Sequence, residues 1–83
     1  MMDKWYNAKT ALPKENGEYL CISTFSMHQS YEICGWTDCL QDIDKHDFKG
    51  IKRGGWYMYD SEYGFYEMTN ITHWMPLPKL PEE

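Results

Sequence analysis

Glu18-Tyr19-Leu20-Cys21-Ile22-Ser23-Thr24-Phe25, followed by Tyr31-Glu32-Ile33-Cys34-Gly35-Trp36-Thr37, decides the fold. Both runs are rich in β-formers and bounded by polar or turn residues, the pattern of strands. Asn16-Gly17 stands directly before the first, and glycine tolerates the positive φ that such turns demand. Within the first run Leu20, Ile22 and Thr24 share one face, and Tyr19, Cys21 and Phe25 the other. Two partly apolar faces point to a central strand or a tightly curled sheet. In the second run Tyr31, Ile33 and Gly35 alternate with Glu32, Cys34 and Trp36. Ser26-Met27-His28-Gln29-Ser30 reads as the loop of a hairpin joining the two. Gly35 in mid-strand marks a bulge, or a place where a neighbour's ring packs on bare backbone.

Beyond this hairpin the chain changes character. Across Asp38 to Arg53, Leu40, Ile43 and Phe48 meet helical spacing only in part, and four aspartates are weak helix formers. A short helix and an irregular excursion fit equally. Gly54-Gly55 ends it. Trp56-Tyr57-Met58-Tyr59 and Gly64-Phe65-Tyr66-Glu67-Met68 form a second hairpin around Asp60-Ser61-Glu62-Tyr63. Thr69-Asn70 turns into Ile71-Thr72-His73-Trp74, a strand that stops at about Met75 because Pro76, Pro78 and Pro81 donate no ladder hydrogen bond. The expected fold is mostly β, or small α+β if the excursion is helical. It is one small domain over residues 1–83, a twisted antiparallel sheet of four to five strands with at most one short helix. Residues 38–53 form an acidic excursion. Trp5 to Pro13 and a Pro-rich strap, residues 76–83, pack over the sheet, with Trp74, Met75 and Leu77 sealing the core.

At 83 residues the chain buries only about 60–65% of its unfolded surface, so each large side chain counts. Aromatic residues make up 17% of it, which makes the core aromatic-dominated. A net charge of −5 and a single arginine, Arg53, argue against nucleic acid, whose affinity rests on Lys and Arg at phosphates. Acidity suits a well-solvated surface or attachment to a basic partner. Cys21, Cys34 and Cys39 are odd in number, no secretory leader precedes them, and no apolar run approaches a membrane span. Free thiols in a bacterial cytoplasm are the expectation.

Three pieces then line up: Trp5 with Leu12-Pro13 and Gly17-Glu18-Tyr19-Leu20; Gly35-Trp36 with Trp56; and Ile71-Thr72-His73-Trp74-Met75-Pro76-Leu77-Pro78 followed by Pro81. Together they resemble a family of small phage and prophage proteins catalogued as domain of unknown function 551. The resemblance spans nearly the whole chain, and Asp38 to Arg53 departs from it as a longer, more acidic stretch. It implies a phage-encoded or prophage-encoded cytoplasmic protein and supplies no activity.

Several constellations carry chemistry on paper. His73 as a general base would need a partner within hydrogen-bond reach, and a structural ring packed among aromatics suits it better. His28, Cys34, Cys39 and His46 have one four-residue cysteine gap but no second knuckle, so buried thiols are expected rather than zinc. Asp38, Asp42, Asp44 and Asp47 lack the central glycine and closing glutamate of a calcium loop. They form a solvated face or a surface for a basic protein, joined there by outward rings such as Tyr57, Tyr59 and Tyr63. The leading expectation is a non-catalytic accessory protein that binds a host or phage protein, inhibiting a defence component, with no cofactor, metal or membrane. A homodimer is compatible with the spare aromatic surface. The alternative is a nucleotide or signal-molecule sponge, with Trp36, Trp56 and His73 stacking on a base and Lys52 and Arg53 holding phosphates. No nucleophile, base and orienting group can be read together, which places an enzyme third.

Overall fold

Residues 4–78 are described by the computed structural model, and each alternating run of the sequence is a strand. The elements are β1 (Tyr6–Asn7), β2 (Gly17–Phe25), β3 (His28–Thr37), α1 (Leu40–Ile43), β4 (Gly55–Asp60), β5 (Gly64–Met68) and β6 (Ile71–Pro76). They make one sheet in the order β1-β6-β2-β3-β4-β5, with every neighbouring pair antiparallel. The sheet thus has one strand more than the expected upper count. The extra one, β1, is two residues long, too short to show as a periodic run. β2 lies inside the sheet between β6 and β3, the central strand that its sequence pointed to.

Register places the large rings on one face. Cys21 pairs with Trp74, Trp36 with Trp56, and Trp56 with Met68. Cys21, Cys34, Trp36, Trp56, Ile71 and Trp74 form the buried cluster, with Ala8, Tyr19, Met58 and Met68 packed against it. Trp74 is the hub: its ring stacks on Tyr6 at 4.7 Å and meets Tyr19 edge-on at 5.2 Å. A buried indole N–H needs an acceptor, and Trp74 Nε1 donates to the Ala11 carbonyl at 2.8 Å. That bond ties down the segment 8–13, whose start is held by Ala8 N donating to Thr72 O at 2.9 Å. The N-terminal segment is therefore the strap over the tryptophan face.

The opposite end of the chain differs from expectation. Trp74 and Met75 are buried, but Pro76, Leu77 and Pro78 are exposed, so Leu77 seals nothing. The remaining strap residues, 79–83, lie outside the described residues. The first hairpin is also tighter than its sequence suggests. Phe25 pairs directly with His28, so only Ser26 and Met27 form the turn, and both take positive φ (50° and 69°). That geometry normally selects Asn-Gly, which is why a Ser-Met turn is illegible in sequence.

On the second face Tyr57 lies opposite Gly35 in register, and its ring covers the glycine backbone. A Cβ at Gly35 would stand 2.6 Å from Tyr57 Cε2. Of the two readings of this glycine, the packed ring is correct; the β3–β4 register shows no bulge there. The 38–53 excursion closes at its base, with Leu40 N donating to Arg53 O at 3.0 Å and Gln41 N to Ile51 O at 2.9 Å. It contributes one helical turn, α1, and buries Leu40 and Phe48. The Cα radius of gyration, 13.5 Å, exceeds the roughly 12 Å of a compact chain of this length. β4 pairs with β3 over three residues only.

Candidate binding surface

The excursion is fastened to the second hairpin by one side chain. Asp47 Oδ2 accepts the Phe65 N–H at 2.9 Å, beside Gly64, whose φ of +88° turns the chain into β5. A Cβ on Gly64 would come within 2.6 Å of the same oxygen, so the glycine also makes room for the carboxylate. Phe48 sits 6.4 Å from Phe65, and Phe65 is 4.9 Å from Tyr59. Asp60 caps the turn, its Oδ1 accepting from Glu62 N (2.7 Å) and Tyr63 N (3.0 Å). Tyr59 and Tyr63 are exposed there. At the other end of β5, Arg53 grips Glu67 through two bonds of 2.7 and 2.9 Å, a fork that docks the end of the excursion.

The sequence-predicted partner residues therefore separate. Asp47 reaches the β4–β5 hairpin at Phe65, Tyr59 packs beside that ring, Asp44 accepts from Asp47 N, and Tyr63 is exposed in the turn. Asp38 lies apart, bonded to Asn16 through both its backbone N and its carboxylate (3.0 and 3.3 Å). Asp42 is exposed on α1, and Tyr57 is half-buried on Gly35. The excursion is less acidic than its aspartates suggest, since Lys45, Lys49, Lys52 and Arg53 balance them. Further acidic groups, Asp60 and Glu62, lie in the turn of the hairpin that Asp47 contacts at Phe65.

Asp44 Oδ1 accepts from His46 N (2.8 Å) and Asp47 N (3.0 Å). Hydrogen bonds from the Asp47 and His46 backbones hold its carboxyl below the ordinary aspartate range. A depressed folded pKa means stability that is present above the unfolded value and lost as pH falls through the folded one. The melting temperature of the native chain is therefore expected to drop on acidification below the normal aspartate pKa, about 4. Asp44→Asn should flatten that part of the profile; an identical acid limb in the variant would contradict this assignment.

Of the alternative ligand set, Trp36, Trp56 and Arg53 line one groove of about 450 Å³ beside Leu12 and Met68. Lys52 does not line it, and His73 alternates with Trp74 onto the opposite side of the sheet. Arg53 already has its carboxylate in Glu67. His73 Nδ1 lies 3.1 Å from Thr72 Oγ1, which itself bonds Ile22 O, a structural setting. Cys34 is buried in the tryptophan cluster while His28 and His46 are exposed on separate elements, so the paper zinc set is not assembled. Among the described residues the acid and imidazole groups that do converge are Asp44, His46 and Asp47. The Cys21 thiol is pushed up by its hydrogen bond to Cys34 and by burial, which keeps Cys21 protonated. No described helix is long and apolar enough to cross a membrane.

Fold and surface together define a small one-sheet β domain with a ring-packed core, a strapped tryptophan face and a polar, ring-bearing hairpin. The family model described as "Protein of unknown function (DUF551)" matches residues 4–82, and the chain belongs to that family. A search of the curated proteins finds no match to the chain, and neither does one of the solved structures.

Proposed function

We propose that this protein is a non-catalytic binding module, a phage or prophage accessory protein of the bacterial cytoplasm. Its acidic, ring-bearing surface engages a basic surface of a host protein and inhibits a defence component by covering it. The observation that carries this reading is the Asp47–Phe65 bond, which fastens the excursion and its aspartates to the hairpin that carries Asp60, Glu62 and the exposed Tyr59 and Tyr63. Exposed tyrosines on a hairpin that also carries carboxylates supply contact area at low entropic cost and select a basic partner. The nucleotide alternative has less support, because of the two cations that line its groove, Lys9 and Arg53, Arg53 is already paired with Glu67.

Native mass spectrometry of the chain recovered from its bacterial host is expected to show a basic protein bound. Binding should weaken at about 0.5 M salt, where screening shortens to a few ångströms. Tyr63→Ala and Glu62→Lys, both at an exposed turn, should each weaken it by about tenfold or more. A chain carrying only a small molecule, or nothing, would sink the proposal.

A further inference from the structure

β3 is paired along its whole length on one side only. β2 covers it from His28 to Trp36, whereas β4 meets just Gly35, Trp36 and Thr37. His28 to Cys34 therefore have, among the described residues, no strand on their second side. The hairpin turn fixes which backbone groups face that side. A two-residue turn with both φ positive closes on a hydrogen-bonded pair, here Phe25 with His28. Bonded and non-bonded pairs alternate from there, so Ser30, Glu32 and Cys34 bond to β2. Gln29, Tyr31 and Ile33 then aim their N–H and C=O groups outward. Thr24 N donating to Asn70 O on the far side of β2 fits the same alternation.

Natural sheets blunt such edges with lysine, proline, a bulge or a covering element. Gln29-Ser30-Tyr31-Glu32-Ile33 contains no lysine or proline, and its register against β2 is unbroken. Its apolar side chains are open too, Tyr31 at 74% and Ile33 at 54% exposure, with Phe25 and Met27 exposed at the hairpin end.

We infer that this edge pairs with the same edge of a second copy, antiparallel across a two-fold axis at Tyr31. Tyr31 is the midpoint of the open segment, so the axis there uses all of it, matching Gln29 with Ile33 of the second copy and Tyr31 with its own counterpart. Each of these pairs exchanges both backbone hydrogen bonds. The charges agree with this register. Glu32 falls opposite Ser30 of the second copy, so the edge carboxylates avoid each other although each chain bears −5. The two Tyr31 rings meet on one face, extending the contact that Trp5 already makes with Tyr31 at 6.1 Å. The result is one continuous sheet through both copies. It is independent of the partner patch, which lies on the β4–β5 hairpin.

Sedimentation equilibrium of the full chain tests it. At about 50 µM, a concentration that populates a micromolar complex, the native protein should sediment at twice its 10.0 kDa mass. Added salt should tighten the dimer by screening like net charges, opposite to its expected effect on the basic partner. Tyr31→Pro removes one outward N–H and no bond to β2, and Ile33→Lys places a charge on the edge; both should be monomers with native circular dichroism. Hydrogen exchange of the native chain gives a check free of any folding defect: the amides of Gln29, Tyr31 and Ile33 should exchange more slowly as concentration rises. A monomeric native chain overturns the inference. So does a dimer whose edge amides are insensitive to concentration, and so does a monomer that accepts only an added peptide strand.

Discussion

Gly35→Ala is expected to destabilise the domain by about 3 kcal/mol, the upper end of overpacking costs and enough to unfold much of a chain this small. The added methyl would stand 2.6–2.7 Å from two ring carbons of Tyr57, whose backbone is fixed by direct pairing with Gly35. The ring cannot withdraw by rotamer change alone without exposing the face it covers. The diagnostic result is in the double variant. Tyr57→Ala removes the obstacle, and in that background Gly35→Ala should be neutral or stabilising by about 0.5–1 kcal/mol, because alanine loses less backbone entropy than glycine on folding. Urea unfolding of the four proteins of this cycle measures the coupling. Additive effects would show that Tyr57 is not what Gly35 accommodates.

Trp74→Ala is expected to cost about 3–5 kcal/mol and to leave the domain unfolded at room temperature or close to it. Trp74 touches Tyr6, Tyr19 and Trp56 and has only 7% of its surface exposed, so removing it empties the middle of the core. Trp74→Phe separates the ring from its N–H. It keeps most of the stacking but leaves the Ala11 carbonyl without its 2.8 Å donor, at a cost of about 1–2 kcal/mol. Because that bond ties the N-terminal segment to the sheet, the Ala8 amide should exchange faster in the phenylalanine variant than the amides of β2. Uniform loss of protection across both would mean that Trp74 supports the sheet as a whole and that the segment has no separate tether.

Much of this architecture was legible from residue pattern. β2 and β3 follow from alternating β-formers, the β4–β5 hairpin from two aromatic runs around Asp60-Ser61-Glu62-Tyr63, and the end of β6 from prolines. These are local consequences of side-chain period and missing N–H donors. The Gly35 position was also readable, because a glycine among large strand residues needs either a kink or a covering neighbour. The Ser26-Met27 turn was not, since neither residue prefers positive φ and the hairpin imposes it.

The binding patch shows the same division. The sequence by itself determined that the chain is a small aromatic β domain, carries net negative charge and has more rings than one core face can hide. Tertiary structure alone decided that the 38–53 excursion folds back so that Asp47 reaches Phe65, eighteen residues on. It alone brought that excursion, with its mixed charges, to the hairpin whose turn carries Asp60 and Glu62. The N-terminal segment was already expected over the sheet, and the structure added its tether, the Trp74 indole N–H on the Ala11 carbonyl. Strand period repeats every two residues and can be read along the chain. Which distant carbonyl accepts an indole N–H, and which carboxylate meets a far backbone amide, depends on closing long loops, and no local pattern encodes it.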